Sequence, residues 1–346
     1  MKASPFWPAE WAAQDGVLIA WPHAGTDWAD NLADVERTYA ALATAISRRQ
    51  RLLICVADGE VEARMRQLAT AAGADLDRIQ AVRIDYDDTW LRDSGPISLV
   101  DGNGFLLLDF RFTGWGGKFE ASRDDALVTG LFERGVFSLA CRHESVDFAL
   151  EGGAVETDGQ GSLLSTWHCL ATRHPDKTRE QVEKVLARQL RIQRFLWLEN
   201  GALQGDDTDA HIDTLARFVS PDTIVFQGCD DPMDPHHAGL AAMADELASL
   251  RRPDGQPYRL FALPWAQPIH AAEGRRLAAS YANFLIVNGA ILMPGYGDQA
   301  DAAAARVLQE ASGLDVEIVP CRPLIEQNGS LHCITMQLPR GVLADV

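Results

Sequence analysis

The sequence predicts an α/β fold, arranged as a ring of five strand–strand–helix–strand units closed by its two ends. Three observations predict it. Pairs of apolar runs around turn residues recur four times, each a hairpin signal. Each pair is followed by a helical stretch and one further apolar strand. Finally, both ends of the chain carry an apolar run with no local partner, and together they supply a fifth hairpin.

Taken in order, GVLIAWP (16–22) is the first unpartnered strand. NLADVERTYAALATAISRR follows as its helix and RLLICVA as its outer strand. GEVEARMRQLATAAG and AVRIDY add an extra helix and strand. The first hairpin is PISLV-DGNG-FLLLDFRF (96–112), with a weak helical stretch, DDALVTGLFERG, and the strand VFSLACRH. The second is EGGAVE-TDGQG-SLLST (151–166). After it, Val182, Val185, Leu186 and Leu190 share a helical face ahead of RFLWLE. The third is HIDTLARFV-SPD-TIVFQG (211–228), followed by a helix with Leu240, Met243, Leu247 and Leu250 on one face, then YRLFALPW. The fourth is NFLIV-NG-AILMPGY (283–296), whose helix ends at Gly313, a natural left-handed cap, before VEIVPC. LHCITMQLP (331–339) is the second unpartnered strand, so residues 1–346 are expected to form one domain. A doubly wound parallel sheet is disfavoured because local hairpins impose antiparallel neighbours.

Composition narrows the function. With 346 residues, 47% of them hydrophobic, the chain can bury a large core. No apolar run approaches the ~18 residues that span a bilayer, and MKASPFWPAEW has no secretory apolar segment, so a cytoplasmic protein is expected. A net charge of −18 disfavours nucleic acid and anionic membranes, and favours the approach of a cationic small molecule. Six cysteines without a C-x-x-C pair argue for reduced thiols rather than disulfides or a zinc ribbon. CDDPMDPHH (229–237) reads as a polar turn into a helix, its spacing matching no common metal site.

Polar residues recur at one junction, between a lone strand and the next hairpin: DYDDTWLRDSGP (85–96), ALEGG (149–153), GDDTDAHID (205–213) and NGSLHCIT (328–335). Equivalent junctions of a closed ring converge, so Asp88, Glu151, His211, Asp213 and Cys333 are expected to share a pocket. These stretches, with GWGGK (114–118) and SYANFLIVNGAILMPGYGD (280–298), resemble the agmatine deiminases. That family lies within the guanidine-modifying (pentein) superfamily, which also includes bacterial peptidyl-arginine deiminases. The resemblance runs from about residue 85 to residue 335, in the family's order. It implies a five-bladed α/β propeller of pseudo-fivefold symmetry and a possible homodimer.

The resemblance also assigns chemistry. Agmatine would be deiminated to N-carbamoylputrescine and ammonia, a step of polyamine metabolism. A guanidinium is planar, cationic and poorly attacked by water. Carboxylates can grip its N–H fork bidentately, the part implied for Asp88, Glu151 and Asp213. Cys333 would add to the guanidinium carbon as thiolate, and His211 would shuttle protons. An extended His211-x-Asp213 would point both side chains the same way. Trp90 and Trp115 either fill the core or wall the pocket, and Asp207 is a candidate for a distal ammonium. No metal or organic cofactor is called for. Arg92 and Asp93 are read as a structural pair, His332 as a supporting residue, and His168, His174, His236 and His237 as surface or helix-start residues.

This sequence departs from the family at Ala210 (usually glycine), at Asn328-Gly329-Ser330-Leu331 (usually glycine-rich) and at Met336 (commonly glutamine). Deimination of free arginine, peptidyl-arginine or another alkylguanidine is the nearest alternative. A catalytically silent guanidine- or polyamine-binding protein is the alternative from another class. A papain-type thiol hydrolase lacks its cysteine motif near the N-terminus.

Overall fold

The computed structural model describes residues 5–345. It contains five small sheets. Four have three strands; in the fifth the chain's two ends supply the hairpin, and Ile79–Arg83 adds a fourth strand beside Arg51–Val56. Two compact units divide them: one runs to Gly152 and adds Val287–Gly289 and the segment from Cys333 onward, and the other comprises Gly153–Ile286 and Ala290–His332.

In the first unit the four-stranded sheet runs in the order Met336–Pro339, Gln14–Ala20, Arg51–Val56, Ile79–Arg83. The terminal strands are antiparallel, with Leu18 opposite Met336 and Gly16 opposite Leu338. Gln14–Ala20 then runs parallel to Arg51–Val56. This is the pairing that the two unpartnered runs required. Helix Leu32–Ser47 follows the first strand, and helix Gly59–Ala72 starts where the Asp58 carboxylate accepts the Glu60 and Val61 N–H groups. The second sheet pairs Ile97–Asp101 antiparallel with Gly104–Arg111, which runs parallel to Cys141–Ala149. Leu18, Leu53, Leu91, Leu107, Leu127 and Leu338 pack one buried core between these elements.

The remaining three sheets are Glu156–Thr157 with Ser162–Thr166 and Arg194–Leu198; Ala216–Ser220 with Thr223–Gln227 and Arg259–Leu263; and Leu285–Val287 with Ala290–Gly295 and Asp315–Pro320. In each, the outer strand runs parallel to the middle one. Most of the helix faces read from spacing are the buried ones: Val182, Leu186 and Leu190 on Arg179–Leu190, and Leu240, Met243 and Leu247 on His237–Ser249, whereas Val185 is half-buried and Leu250 lies just past its helix in extended backbone. Gly313 closes Asp301–Ser312 at φ 72°.

Four local expectations fail. The EGGAVE run is no strand for most of its length: Gly152–Ala154 is a 3-10 helix and only Glu156–Thr157 joins the ladder. The strand expected at VFSLACRH lies later, at Cys141–Ala149, because its ladder with Gly104–Arg111 begins only at Cys141. The apolar letters ahead of it fill the core instead, as at Val136 and Phe137. The last strand starts at Met336, and residues 331–334 form turns. The 211–215 segment is not extended, since Ile212–Thr214 is a short 3-10 helix.

Candidate active site

The first unit carries Asp88, Trp90, Trp115, Glu151 and Cys333. Asp88 sits in the turn after Ile79–Arg83, where its carboxylate accepts the Thr89 N–H at 2.8 Å and the Trp90 indole N–H at 3.2 Å. Trp90 is buried and tilted against Trp28, ring centres 5.5 Å apart, and the Trp28 indole donates to Thr89 Oγ1 at 2.8 Å. Burial, with Asp27 nearby, pushes the Asp88 carboxyl up to about 7, despite those hydrogen bonds. Asp124, which sequence reasoning missed, accepts the backbone N–H of Asp87 at 2.8 Å and of Asp88 at 3.2 Å. Burial holds it near 7 as well.

Trp115 lies in a four-residue turn, Gly114–Gly117, at φ 55°. Its indole donates to Asp93 at 2.9 Å, and Phe112 and Phe119 meet it edge-on. GWGGK therefore shapes a loop. Arg92 reaches Glu10 at 3.5 Å in a buried ion pair, a structural partner that sequence reasoning did not name. The Arg92 backbone N–H also donates to the Cys333 carbonyl at 3.0 Å, fixing the turn that presents the thiol. Cys333 is only 4% exposed. Glu151 is fully buried, and the next residue must be glycine: a Cβ on Gly152 would stand 2.2 Å from the Arg92 carbonyl oxygen.

The second unit carries Asp207, His211 and Asp213. His211 and Asp213 are fully buried, the first capping and the second within the short 3-10 helix Ile212–Thr214. Helical backbone splays residues two apart, so neighbours rather than register orient them. His332 Nδ1 stands 2.7 Å from the Asp213 carboxylate, and Asn283 in turn accepts the His332 N–H at 2.9 Å. Burial alone would raise the Asp213 carboxyl. The His332 hydrogen bond and the charges of His332, His211 and Arg217 outweigh it and hold Asp213 low, hence ionised. Arg217, also unforeseen, is fully buried against Glu156 at 2.7 Å and donates to the Phe284 carbonyl at 2.8 Å. Hydrogen-bond partners distant in sequence leave no local pattern, so nothing but the chemistry of a strand arginine signalled it.

The turn before His211 is left-handed at both Asp209 (φ 66°) and Ala210 (φ 69°). Asp206 accepts the Ala210 N–H at 2.8 Å, Thr166 donates to the Ala210 carbonyl at 2.7 Å, and Arg173 pairs with Asp209 at 2.6 Å. Asp207 is partly exposed, and Asn328 donates to its Oδ2 at 2.9 Å. The CDDPMDPHH turn does lead into a helix at His237. Asp234 there collects His236 at 2.6 Å, Trp265 at 3.0 Å and Arg276 at 3.1 Å. His168 is exposed and His236 and His237 start a helix, as expected, whereas His174 is buried at a helix C-terminus and is neither.

Comparison with known proteins agrees along nearly the full length. The agmatine deiminase of Stutzerimonas stutzeri is 35% identical, over 96% of this chain and 95% of its own. That of Pseudomonas putida is 33% identical over 97% and 95%. Among solved structures, a Porphyromonas gingivalis protein proposed to be an arginine deiminase superposes with TM-score 0.91 at 43% identity, covering 99% of this chain and all of that one. A substrate-bound cysteine-to-serine variant of the C. jejuni agmatine deiminase gives 0.89 at 32%, covering 97% of each. A more distant amidinotransferase, at 12% identity and TM-score 0.54, shares the fold. Residues 6–339 match the family model of the Porphyromonas-type peptidyl-arginine deiminases. The chain belongs to the Porphyromonas-type peptidyl-arginine deiminase family.

Proposed function

We propose that this protein hydrolyses agmatine to N-carbamoylputrescine and ammonia, with Cys333 as nucleophile. The observation that carries the reading is the full-length kinship with agmatine deiminases, in a chain that keeps every group the reaction needs. The ionised carboxylate of Asp213 takes one side of the guanidinium fork, and Glu151 and Asp88 take the remaining N–H donors. The Cys333 thiolate adds to the guanidinium carbon, and His211 gives a proton to the departing nitrogen, which leaves as ammonia. His211 then removes a proton from water. The hydroxide adds to the thiouronium carbon, the C–S bond breaks, and the urea product leaves with the thiolate restored. Trp90 and Trp115 cover the apolar stem of the substrate, and Asp207 receives its distal ammonium.

The repeated strand order supports one five-bladed α/β propeller over residues 1–346, with the N- and C-terminal strands closing the last blade. Turnover of arginine is the second reading, favoured by the kinship at 43% identity with the P. gingivalis protein proposed to be an arginine deiminase. Ammonia release from agmatine, arginine and a peptidyl-arginine, measured for the wild type and for Cys333→Ala, separates the readings. Agmatine is expected to have the highest kcat/KM and the variant to be inactive. Equal activity in the variant overturns the mechanism, and a preference for arginine overturns the substrate.

A further inference from the structure

One polar chain in the second unit links two residues given no role above, Arg275 and Asn328, to Asp207. It starts at Arg275, in the loop after the third hairpin's outer strand, and ends on Asp207. Arg275 Nη1 donates to Asn328 Oδ1 at 2.6 Å, and Asn328 Nδ2 donates to Asp207 Oδ2 at 2.9 Å. The order of atoms is dictated by chemistry. A guanidinium only donates and a carboxylate only accepts, so the amide between them has one orientation that satisfies both. Asn328 is itself fixed, at left-handed φ 71°, closing the short helix Leu324–Gln327 with its N–H on the Ile325 carbonyl. That conformation favours glycine, and asparagine is among the side-chain-bearing residues that tolerate it best.

We propose that Arg275 and Asn328 form a relay that positions Asp207 for a substrate's distal ammonium, selecting a guanidine with an amine and no carboxylate. The proposal rests on the reading of Asp207 given above. A carboxylate already oriented loses less freedom on binding than one that must be ordered by the ligand. The relay also settles what Arg275 is for. A basic residue near the distal end would ordinarily point to a substrate carboxylate. Here the other guanidinium nitrogens are engaged too, Nη2 with the Glu326 carbonyl at 2.7 Å and Nε with Glu273 at 3.2 Å. With Nη1 on Asn328, the arginine is a strut. An α-carboxylate brought to this place would face Asp207 and compete for donors already in use.

The test compares agmatine with butylguanidine, which has the same guanidinium and stem but no ammonium. Steady-state ammonia release is measured for the wild type, Asp207→Asn, Asn328→Ala, Arg275→Gln and Arg275→Lys. Asn328→Ala and Arg275→Gln are expected to raise the agmatine KM roughly three- to tenfold, the scale of one hydrogen bond in the assembly, with kcat falling no more than about twofold. Neither should move the butylguanidine KM, and Arg275→Lys should recover part of the loss. If Asp207→Asn removes the preference for agmatine but Asn328→Ala and Arg275→Gln do not, the relay is overturned and the ammonium site stands. If Asp207→Asn leaves the preference intact, the Asp207 assignment fails and the relay with it. Calorimetric binding of both guanidines on a Cys333→Ala background reads the same preference without turnover, so loss of catalysis cannot mask either result. Thermal midpoints equal to that of the wild type exclude misfolding, which is a small risk at a side chain as exposed as Arg275.

Discussion

Replacing Asp88 by asparagine should make the folded protein more stable at neutral pH while removing its activity. The carboxyl's ordinary value is 3.8, and burial beside Asp27 lifts it to about 7 in the folded chain. A carboxyl raised by folding contributes no penalty while it is protonated in both states, below about pH 4. Between about pH 4 and 7 the unfolded chain loses its proton and the folded one does not. Stability therefore falls steadily over that interval and levels off above it. At about 1.36 kcal/mol per pH unit, the full displacement corresponds to about 4 kcal/mol. Part of this carboxylate reaches solvent, so about 2 kcal/mol is the reasonable expectation.

Asparagine retains an oxygen for the Thr89 N–H but sets an amide where the Trp90 indole donates, which takes back some of the gain. The net expectation is that Asp88→Asn is about 1–2 kcal/mol more stable than wild type at pH 8, with the advantage vanishing near pH 4. Urea unfolding at four pH values measures it. Asp124 titrates in the same range and touches the Asp88 backbone, so the wild-type profile belongs to the pair. The activity profile should complement this. Free enzyme must ionise Asp88 to receive a guanidinium, so kcat/KM should show an acid limb near pH 7 that is absent from kcat, because the bound cation holds the proton off. A constant difference between wild type and variant from pH 4 to 8 would show that Asp88 is not held near 7, and the reasoning would fail.

Ala210→Gly should stabilise the protein by about 0.5–1 kcal/mol, since φ 69° is costly for alanine and free for glycine, less the extra freedom of the unfolded chain. An unchanged urea midpoint would count against this. Gly152→Ala sets a methyl 2.2 Å from the Arg92 carbonyl, a contact backbone cannot absorb, so soluble folded yield should collapse. Normal expression and melting would refute the tight packing beside Glu151. Glu156→Gln leaves Arg217 charged and fully buried, which should cost about 3–5 kcal/mol in thermal or urea unfolding. A cost under about 1 kcal/mol would mean the arginine finds another anion or water.

Hairpins were legible because their turn letters (DGNG, DGQG, NG) and β-branched flanks are local, and the terminal strands because each lacked a local partner. Helix faces were legible for the same reason: Leu240, Met243 and Leu247 repeat at helical spacing and all are buried. The failures share a cause. His211-x-Asp213 has the letters of a strand start, but Thr208 and Thr214 bond across the turn, to the His211 N–H at 3.1 Å and its carbonyl at 2.9 Å, and wind it into a 3-10 helix. Asp124 bonds to a residue 36 positions away, Arg217 to one 61 away and Asn283 to one 70 away, and no period in a sequence encodes such a partner.

The backbone itself makes the remaining distinction between scaffold and site. Among the described residues, five other than glycine have positive φ: Trp115, Arg191, Asp209, Ala210 and Asn328. Arg191 ends a helix, where such a conformation is ordinary. The other four are, or adjoin, residues of the proposed site: Trp115, the two residues before His211, and the amide on Asp207. Each conformation is opposed by its own Cβ, at about 1–2 kcal/mol, and so persists only where several partners over-determine it. Asp209 and Ala210 have Arg173, Thr166 and Asp206, and Asn328 has Arg275 and Asp207. Alanine at 210, where the family resemblance led glycine to be expected, was the one trace of this in the sequence. It is informative because this chain accepts the strain rather than the more flexible residue, as a site that must hold its side chains still would require.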